Sequence, residues 1–295
     1  MNAPLPSRDG VAPSCFQVPE TLNGPLLEVL CTAFPAVPAA SWRQRLARGE
    51  VAAADGRRLD AGTPVRPGLQ VFYYREPAPE TPVPFREQVL YRDPHLLVVD
   101  KPHFLAVVPA GRHLHETLLV RLRRSLGLDA LVPLHRIDRE TAGLVVFSLN
   151  PASRGLYSQL FPQRAVRKTY LALAPTQAQP PLPALYRSRL VPGEPFFRMQ
   201  EVAGEPNAET RIERLDARGT HSLYRLEPLS GRKHQLRVQM AALGRAIVND
   251  RLYPLCAPAD ADDFSRPLQL LASELEFRDP LTGGLRHFTS RFELQ

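Results

Sequence analysis

Apolar positions recur along the chain in two rhythms. Leu26, Leu27 and Leu30 fall at the spacing of a short amphipathic helix, and Trp42 and Leu46 at that of a second one carrying Arg43, Arg45 and Arg48. Gly49 stops it, and residues 51–53 and 71–74 read as short strands around the Asp55-Gly56 turn. Further on, Leu96, Leu97, Val98 and Val99 form an apolar run of strand length that ends at Asp100-Lys101-Pro102. Residues 116–126 place Leu118, Leu119, Leu122 and Leu126 on one face and arginines on the other, which predicts a helix. Residues 143–147 predict a strand, and Asn150-Pro151 a helix start with asparagine as cap and proline in the first turn. Residues 168–174, 210–215 and 223–226 alternate as strands. Ser230-Gly231 opens a predicted helix over 232–243 that Gly244 closes, and strands over 268–277 and 286–292 finish the chain.

Strands and helices interleave without a βαβ rhythm or internal repeat, which predicts a mixed α+β fold. Residues 1–20, small and polar with several prolines, read as a flexible tail. Residues 21–75 read as a small α+β domain. Residues 76–84 hold four prolines in nine positions, a stiff extended linker, and 85–295 form the main domain. A chain of 295 residues with 44% hydrophobic and 23% charged residues has enough core for this plan and is not disordered in composition. No apolar run approaches the ~20 residues of a membrane span, and the amino terminus lacks a secretory pattern. Cys15, Cys31 and Cys256 are scattered, fitting neither a disulfide framework nor a zinc site, so a cytoplasmic location is expected.

Charge changes the picture. Of the 37 basic residues only Lys101, Lys168 and Lys233 are lysines, and proline reaches 31; a shared base-composition bias explains both skews. The net charge of +7 is uneven: residues 85–175 carry 13 basic against 7 acidic residues, whereas 1–84 are balanced. A localised basic surface suits a polyanion such as a nucleic acid, and also a merely solvated arginine-rich face.

Three segments could carry chemistry. In 133–149 (PLHRIDRETAGLVVFSL), Arg136 and Asp138 share a face if the chain is extended, beside His135 and Arg139. Flanking cations would keep Asp138 ionised, which suits a nucleophile or charge stabiliser, although a strand-edge ion pair uses the same residues. At Ser230-Gly231-Arg232-Lys233-His234-Gln235-Leu236-Arg237, free N–H groups of a helix start and two cations could hold phosphate, or simply face water. The stretch 164–170 (RAVRKTY) sets cations beside Tyr170, a combination used on RNA, or a buried tyrosine with snorkelling neighbours. No Gly-rich phosphate loop, G-x-S-x-G or H-E-x-x-H occurs.

Taken in order, Lys101-Pro102, HRIDRETAGL at 135–144, RKTYLAL at 167–173 and SGRKHQLR at 230–237 resemble the successive motifs of the RluA family of RNA pseudouridine synthases. The likeness continues through 245–253 and 268–283 and covers about residues 85–290. Residues 22–75 are similar to the small RNA-binding domain named after ribosomal protein S four. The resemblance implies a largely antiparallel catalytic sheet with flanking helices and an isomerisation of uridine in ribosomal or transfer RNA. It implies no metal or organic cofactor, no membrane partner, and action as a monomer. By position Asp138 would be the catalytic aspartate and Arg237 its partner. Arg136 would fill the gap left by the flipped uridine, and Tyr170 would stack on uracil or take the carbon-5 proton, the latter requiring an altered pKa or a relay. His135, Thr141, Arg167, Lys168, Gly231, Arg232, Lys233, His234 and Leu236 would contact RNA. The chain departs from the family at Gln239 and Leu271, where histidine is usual, and at Asn249, where glycine is.

Two other readings use the same residues. A metallo-hydrolase of His135, Asp138, His234 and Asp250 lacks helical ligand spacing, and Arg136, Arg139 and Arg237 would crowd a cation. A non-catalytic RNA-binding or ribosome-assembly protein on the same fold would not need Asp138, Tyr170 and Arg237 together.

Overall fold

A computed structural model describes residues 4–76, 79–177, 181–257 and 262–295. Residues 1–3 of the expected tail and 77–78 of the proline-rich stretch thus lie outside the described residues. The chain divides into two compact units. The first takes Met1–Thr81 together with Pro109–His115 and Val120–Gly127, and the second takes Pro82–Val108, Glu116–Leu119 and Leu128–Gln295.

The first unit contains β1 (Ser14–Gln17), β2 (Gly24–Pro25), α1 (Leu26–Ala33), α2 (Ala39–Ala47), β3 (Val51–Ala53), β4 (Pro64–Val65) and β5 (Gln70–Tyr73). Antiparallel β1 and β3 flank β5, with Ser14 and Val51 both opposite Tyr73. Leu26 and Leu30 of α1 and Trp42 of α2 close over Val51, Val71 and Tyr73, burying the apolar stripes that predicted both helices. Residues 14–17 correct the expectation of a tail up to residue 20. They pair with β5, and the Phe16 ring meets that of Phe34 at 5.0 Å. Arg45 is buried, lies 4.8 Å over the Trp42 ring and reaches Glu76, while Arg48 pairs with Glu50 and Glu76.

The second unit runs β6 (Gln88–Arg92), β7 (Leu96–Lys101), α3 (Leu118–Leu126), β8 (Val132–Pro133), β9 (Ala142–Ser148), α4 (Pro151–Gln159), β10 (Val166–Pro175), β11 (Leu185–Pro192), β12 (Met199–Val202), β13 (Ala208–Arg218), β14 (His221–Pro228), α5 (Gln235–Ala242), β15 (Leu270–Arg278) and β16 (Leu285–Thr289); α3 has only its start in this unit. Among the described residues one sheet holds eleven of these strands in the order β12-β11-β13-β14-β10-β15-β9-β7-β6, with β16 beside β15 and β8 beside β9. The fold is mixed α+β with a large, mostly antiparallel sheet. β7 and β9 are buried along their whole length, as continuous apolar runs require. Asn150 caps α4 by accepting the Ala152 N–H at 2.9 Å, with Pro151 in the first turn. β6, β11 and β12 escaped the sequence reading because they lie toward the ends of the sheet, where exposed polar residues dilute the alternation.

The halves of this sheet meet where β15 and β9 run parallel, pairing Leu271 with Ala142 and Ala272 with Gly143. Gly143 has φ +109°, and a Cβ there would lie 2.2 Å from the Ala272 carbonyl oxygen, so only glycine permits this approach. On its other side Ala272 faces Tyr170 of β10, just past a register shift at Thr169/Tyr170. A line through Gly143, Ala272 and Tyr170 therefore brings the turn before β9 beside β10. α5 packs across the neighbouring strands, with Leu236, Met240 and Leu243 set against Ala172, Ile212, Tyr224 and Leu226.

Candidate active site

The turn before β9 presents Asp138. The Thr141 N–H bonds back to the Asp138 carbonyl at 3.2 Å, and Thr141 is itself buried, so the aspartate sits on a closed turn anchored to a central strand. Arg136 and Asp138 are therefore on irregular chain, not the extended chain that sequence reasoning considered, and Arg136 is exposed. Arg237, from α5, reaches across 99 residues of sequence and places Nη1 3.2 Å from Asp138 Oδ2 and 3.5 Å from Glu140 Oε2.

Arg237 is itself held. Its Nε and Nη2 make a two-pronged pair with Asp250 at 2.8 and 2.7 Å, and Asp250 Oδ1 also accepts the N–H groups of Leu252 and Tyr253. The guanidinium is 1% exposed; burial alone would lower its pKa, but the hydrogen-bonded Asp250 and the charges of Asp138 and Glu140 raise it instead. Glu140 shows the converse balance. Burial works to raise its pKa, and Arg237, Arg139 and Lys101 outweigh that to leave it lowered. Arg139 turns the other way, into a two-pronged pair with Asp262 at 2.9 and 2.6 Å. The 250–253 turn also supplies Tyr253, whose hydroxyl lies 2.8 Å from His234 Nδ1, and His234 Nε2 stands 4.0 Å from Asp138 Oδ1.

Behind the Asp138 turn lies Lys101. Its Nζ is wholly buried and donates to the carbonyls of Pro102 and Arg139 at 2.9 and 3.1 Å. Burial lowers its pKa to about 7, against the pull of Glu140 and Asp138. A neutral amine has two protons, and two carbonyls use both. His103 ties to the Glu140 carbonyl at 2.7 Å. Tyr170 faces the site, its hydroxyl pKa raised by burial and by the charge of Asp138. A phenol that acts as a base needs the opposite shift.

The sequence-derived residues divide. Asp138, Arg237, Tyr170 and His234 converge. Lys168 lies beside the 230–234 turn: its Nζ is 4.0 Å from where a Cβ on Gly231 would stand, its charge acts on His135, and burial lowers its pKa. Gly231, Arg232 and Lys233 are exposed on the adjoining turn. That turn is not an open helix start, because Gln235 Oε1 takes the Arg232 N–H and the Ser230 hydroxyl, and α5 begins only at Gln235. Three residues are spoken for elsewhere. His135 Nε2 accepts the Val146 N–H at 3.1 Å and its ring stacks on Phe161, so the side chain braces β9. Leu236 is in the core, and Arg167 is exposed in an ion pair with Glu227.

The departures have local accounts. Gln239 is buried, accepting from Thr210 Oγ1 at 2.6 Å and donating to Ser188 Oγ at 2.9 Å. Asn249 stands at φ +63°, a left-handed conformation that asparagine tolerates better than most residues. Leu271 is buried opposite Ala142. Sequence reasoning missed Asp250 and Tyr253 as orienting residues, Glu140 as part of the Asp138 turn and Lys101 as the support behind it. The RAIVNDRLY phrase at 245–253 was the signal that contained the first two.

A family model described as RNA pseudouridylate synthase matches residues 95–242. An uncharacterized RNA pseudouridine synthase of Synechocystis sp. is 28% identical over 215 residues, covering 72% of this chain and 74% of that protein. The dual-specificity RNA pseudouridine synthase RluA of Vibrio vulnificus is 33% identical over 207 residues, covering 68% and 80%. Among solved structures, human RNA pseudouridylate synthase domain containing 1 superposes with a TM-score of 0.57 at 24% identity, over 70% of this chain and 84% of that one.

Proposed function

The chain belongs to the RNA pseudouridylate synthase family, and from that premise we propose that it isomerises uridines of ribosomal or transfer RNA at a centre built on Asp138. The observation that carries the assignment of the centre is the geometry of Arg237. Two of its nitrogens are spent on Asp250, and the third, Nη1, points at the Asp138 turn, 3.2 Å from Asp138 and 3.5 Å from Glu140. A guanidinium so fixed holds an aspartate in one orientation without covering it, and Asp138 keeps 26% of its side chain exposed.

The reaction conserves atoms: the bond from N1 to the ribose C1′ breaks, the uracil turns, C5 bonds to C1′, and a proton lost from C5 is balanced by one gained at N1. Asp138 acts at the sugar carbon, as nucleophile or as the charge that assists departure. Tyr170, with its proton held more tightly than usual, serves as the stacking face for the extruded base. Arg136, which is exposed, occupies the gap in the RNA, and Lys168, Arg232 and Lys233 line the path of the backbone. Flipping a base costs a few kcal/mol, which pocket contacts recover. The first unit adds RNA affinity through exposed cations such as Arg43, Arg58 and Arg66 in the manner of the domain named after ribosomal protein S four. Free thiols at Cys15, Cys31 and Cys256 suit a cytoplasmic setting.

The test is direct. Purified protein incubated with ribosomal and transfer RNA from a strain lacking the gene should convert uridine to pseudouridine, and Asp138→Asn should not. Full activity in Asp138→Asn would remove Asp138 from the mechanism.

A further inference from the structure

We infer that His234 is a positioning residue for Asp138, held by the Tyr253 hydroxyl in the tautomer that carries its proton on Nε2. The inference deepens the reading above and rests on it for its functional meaning.

The argument starts at β12. The Met199 N–H donates to the Tyr253 oxygen at 2.8 Å. Tyrosine has a single hydroxyl proton, and among the described residues its other hydrogen-bond partner is His234 Nδ1, also 2.8 Å away. We assign that proton to Nδ1, the arrangement that gives the hydroxyl an acceptor. A neutral imidazole that accepts at Nδ1 carries its own proton at Nε2. Neutrality fits the surroundings: burial first, then the charges of Arg237 and Lys233, lower the His234 pKa against the pull of Asp138 and Glu140. The Nε2 proton then faces Asp138 Oδ1 across 4.0 Å, while Arg237 holds Oδ2 at 3.2 Å.

One turn thus governs both arms on the carboxylate. Asp250 fixes Arg237, and Tyr253, three residues later, fixes His234. The backbone supports the same view, since His234 sits in the left-handed region at φ 54°, a conformation that costs a non-glycine residue about 1 kcal/mol or more. At 4.0 Å the bond to Oδ1 is unmade. A movement of about 1 Å closes it, and catalytic hydrogen bonds commonly tighten only when substrate binds. With a side chain only 10% exposed, His234 has little surface left for RNA.

Two measurements on the full-length protein test this. Long-range proton–nitrogen spectra of labelled protein should show His234 protonated at Nε2 and bare at Nδ1, and Tyr253→Phe should convert this to a tautomer mixture. In steady-state assays on RNA, His234→Ala should lower kcat about 10²-fold, the scale of a 1 Å misplacement, with KM little changed. His234→Gln, which presents an amide N–H near the Nε2 position, should recover most of that loss, and Tyr253→Phe should fall between. A proton found on Nδ1 overturns the arrangement. A raised KM at unchanged kcat in His234→Ala assigns the residue to RNA binding instead. Equal losses in the alanine and glutamine variants, tracking a lower Tm, reduce it to a structural role. A wild-type protein that makes no pseudouridine would defeat the proposed function while leaving the tautomer measurement to decide the geometry.

Discussion

The two ends of β15 carry the same chemical ingredients and put them to different uses. Near Arg278, Asp279 is buried beside Arg286, Tyr157 and Tyr91. Near Ala272, Asp138 stands with Arg237, Tyr170 and Tyr253. At the first end every acceptor is filled: Asp279 takes Tyr157 Oη at 3.1 Å, Arg286 Nε at 3.0 Å and the N–H groups of Leu281 and Thr282. Burial would raise its pKa, but these donors lower it. At the second end Asp138 has one contact at 3.2 Å, another group waiting at 4.0 Å, and a quarter of its side chain in solvent. A saturated carboxylate is a structural tie; an under-coordinated one held by a rigid arginine is poised for a ligand. Residue type does not separate the two clusters, whereas the count of donors does.

The contrast breaks most sharply at the two aspartates. Asp138→Asn should reduce pseudouridine formation by about 10⁴-fold, as for a lost catalytic carboxylate, while Tm stays close to wild type. Asp279→Ala should do the reverse. Removing one partner of a buried pair costs about 3 kcal/mol, a fall in Tm of roughly 6–12 °C, with kcat of the folded protein retained. If Asp279→Ala were the one to abolish turnover at unchanged Tm, the assignment of the site would be inverted.

Lys101 sharpens the comparison through pH. Its folded pKa is about 7 against an ordinary 10.5, so the folded state resists the proton that the unfolded chain keeps. The cost is full below pH 7 and is relieved as pH rises from 7 toward 10.5. Wild type should therefore gain stability over that window relative to Lys101→Met, measured as the difference in Tm between the two proteins at successive pH values. A flat difference would place the charge elsewhere. The smallest effect belongs to the rim. Lys233→Ala should weaken RNA binding severalfold and reduce the slope of log affinity against log salt by about 0.7–0.9, with kcat unchanged.

Much of this was legible before any coordinates. The stripes of Leu26 and Leu30, the alternation of β10 and β14 and the Asn150-Pro151 cap are local patterns, and local patterns survive into the fold. The charge excess of residues 85–175 and the ordered motifs pointed to RNA and to Asp138, Tyr170 and Arg237. Other residues could not be assigned from sequence. His135 looks like a ligand beside Asp138, yet its ring turns back to brace β9, because a histidine can satisfy a backbone donor as readily as a substrate. Arg45 was legible only as one of three arginines on the second helix, and the fold buries it over Trp42.

The sequence by itself determined most of the elements, the fold class and the candidate residues of the site, since each depends on neighbours a few positions apart or on motifs read in order. Only the tertiary structure decided how those residues are oriented. The pairing of Asp138 with Arg237 spans 99 residues, and that of Arg237 with Asp250 requires α5 and the following turn to fold against each other. Gly143 shows the physical reason most plainly: its meaning lies in the 2.2 Å between an absent Cβ and the Ala272 carbonyl. That distance exists only once two strands far apart in the chain are side by side.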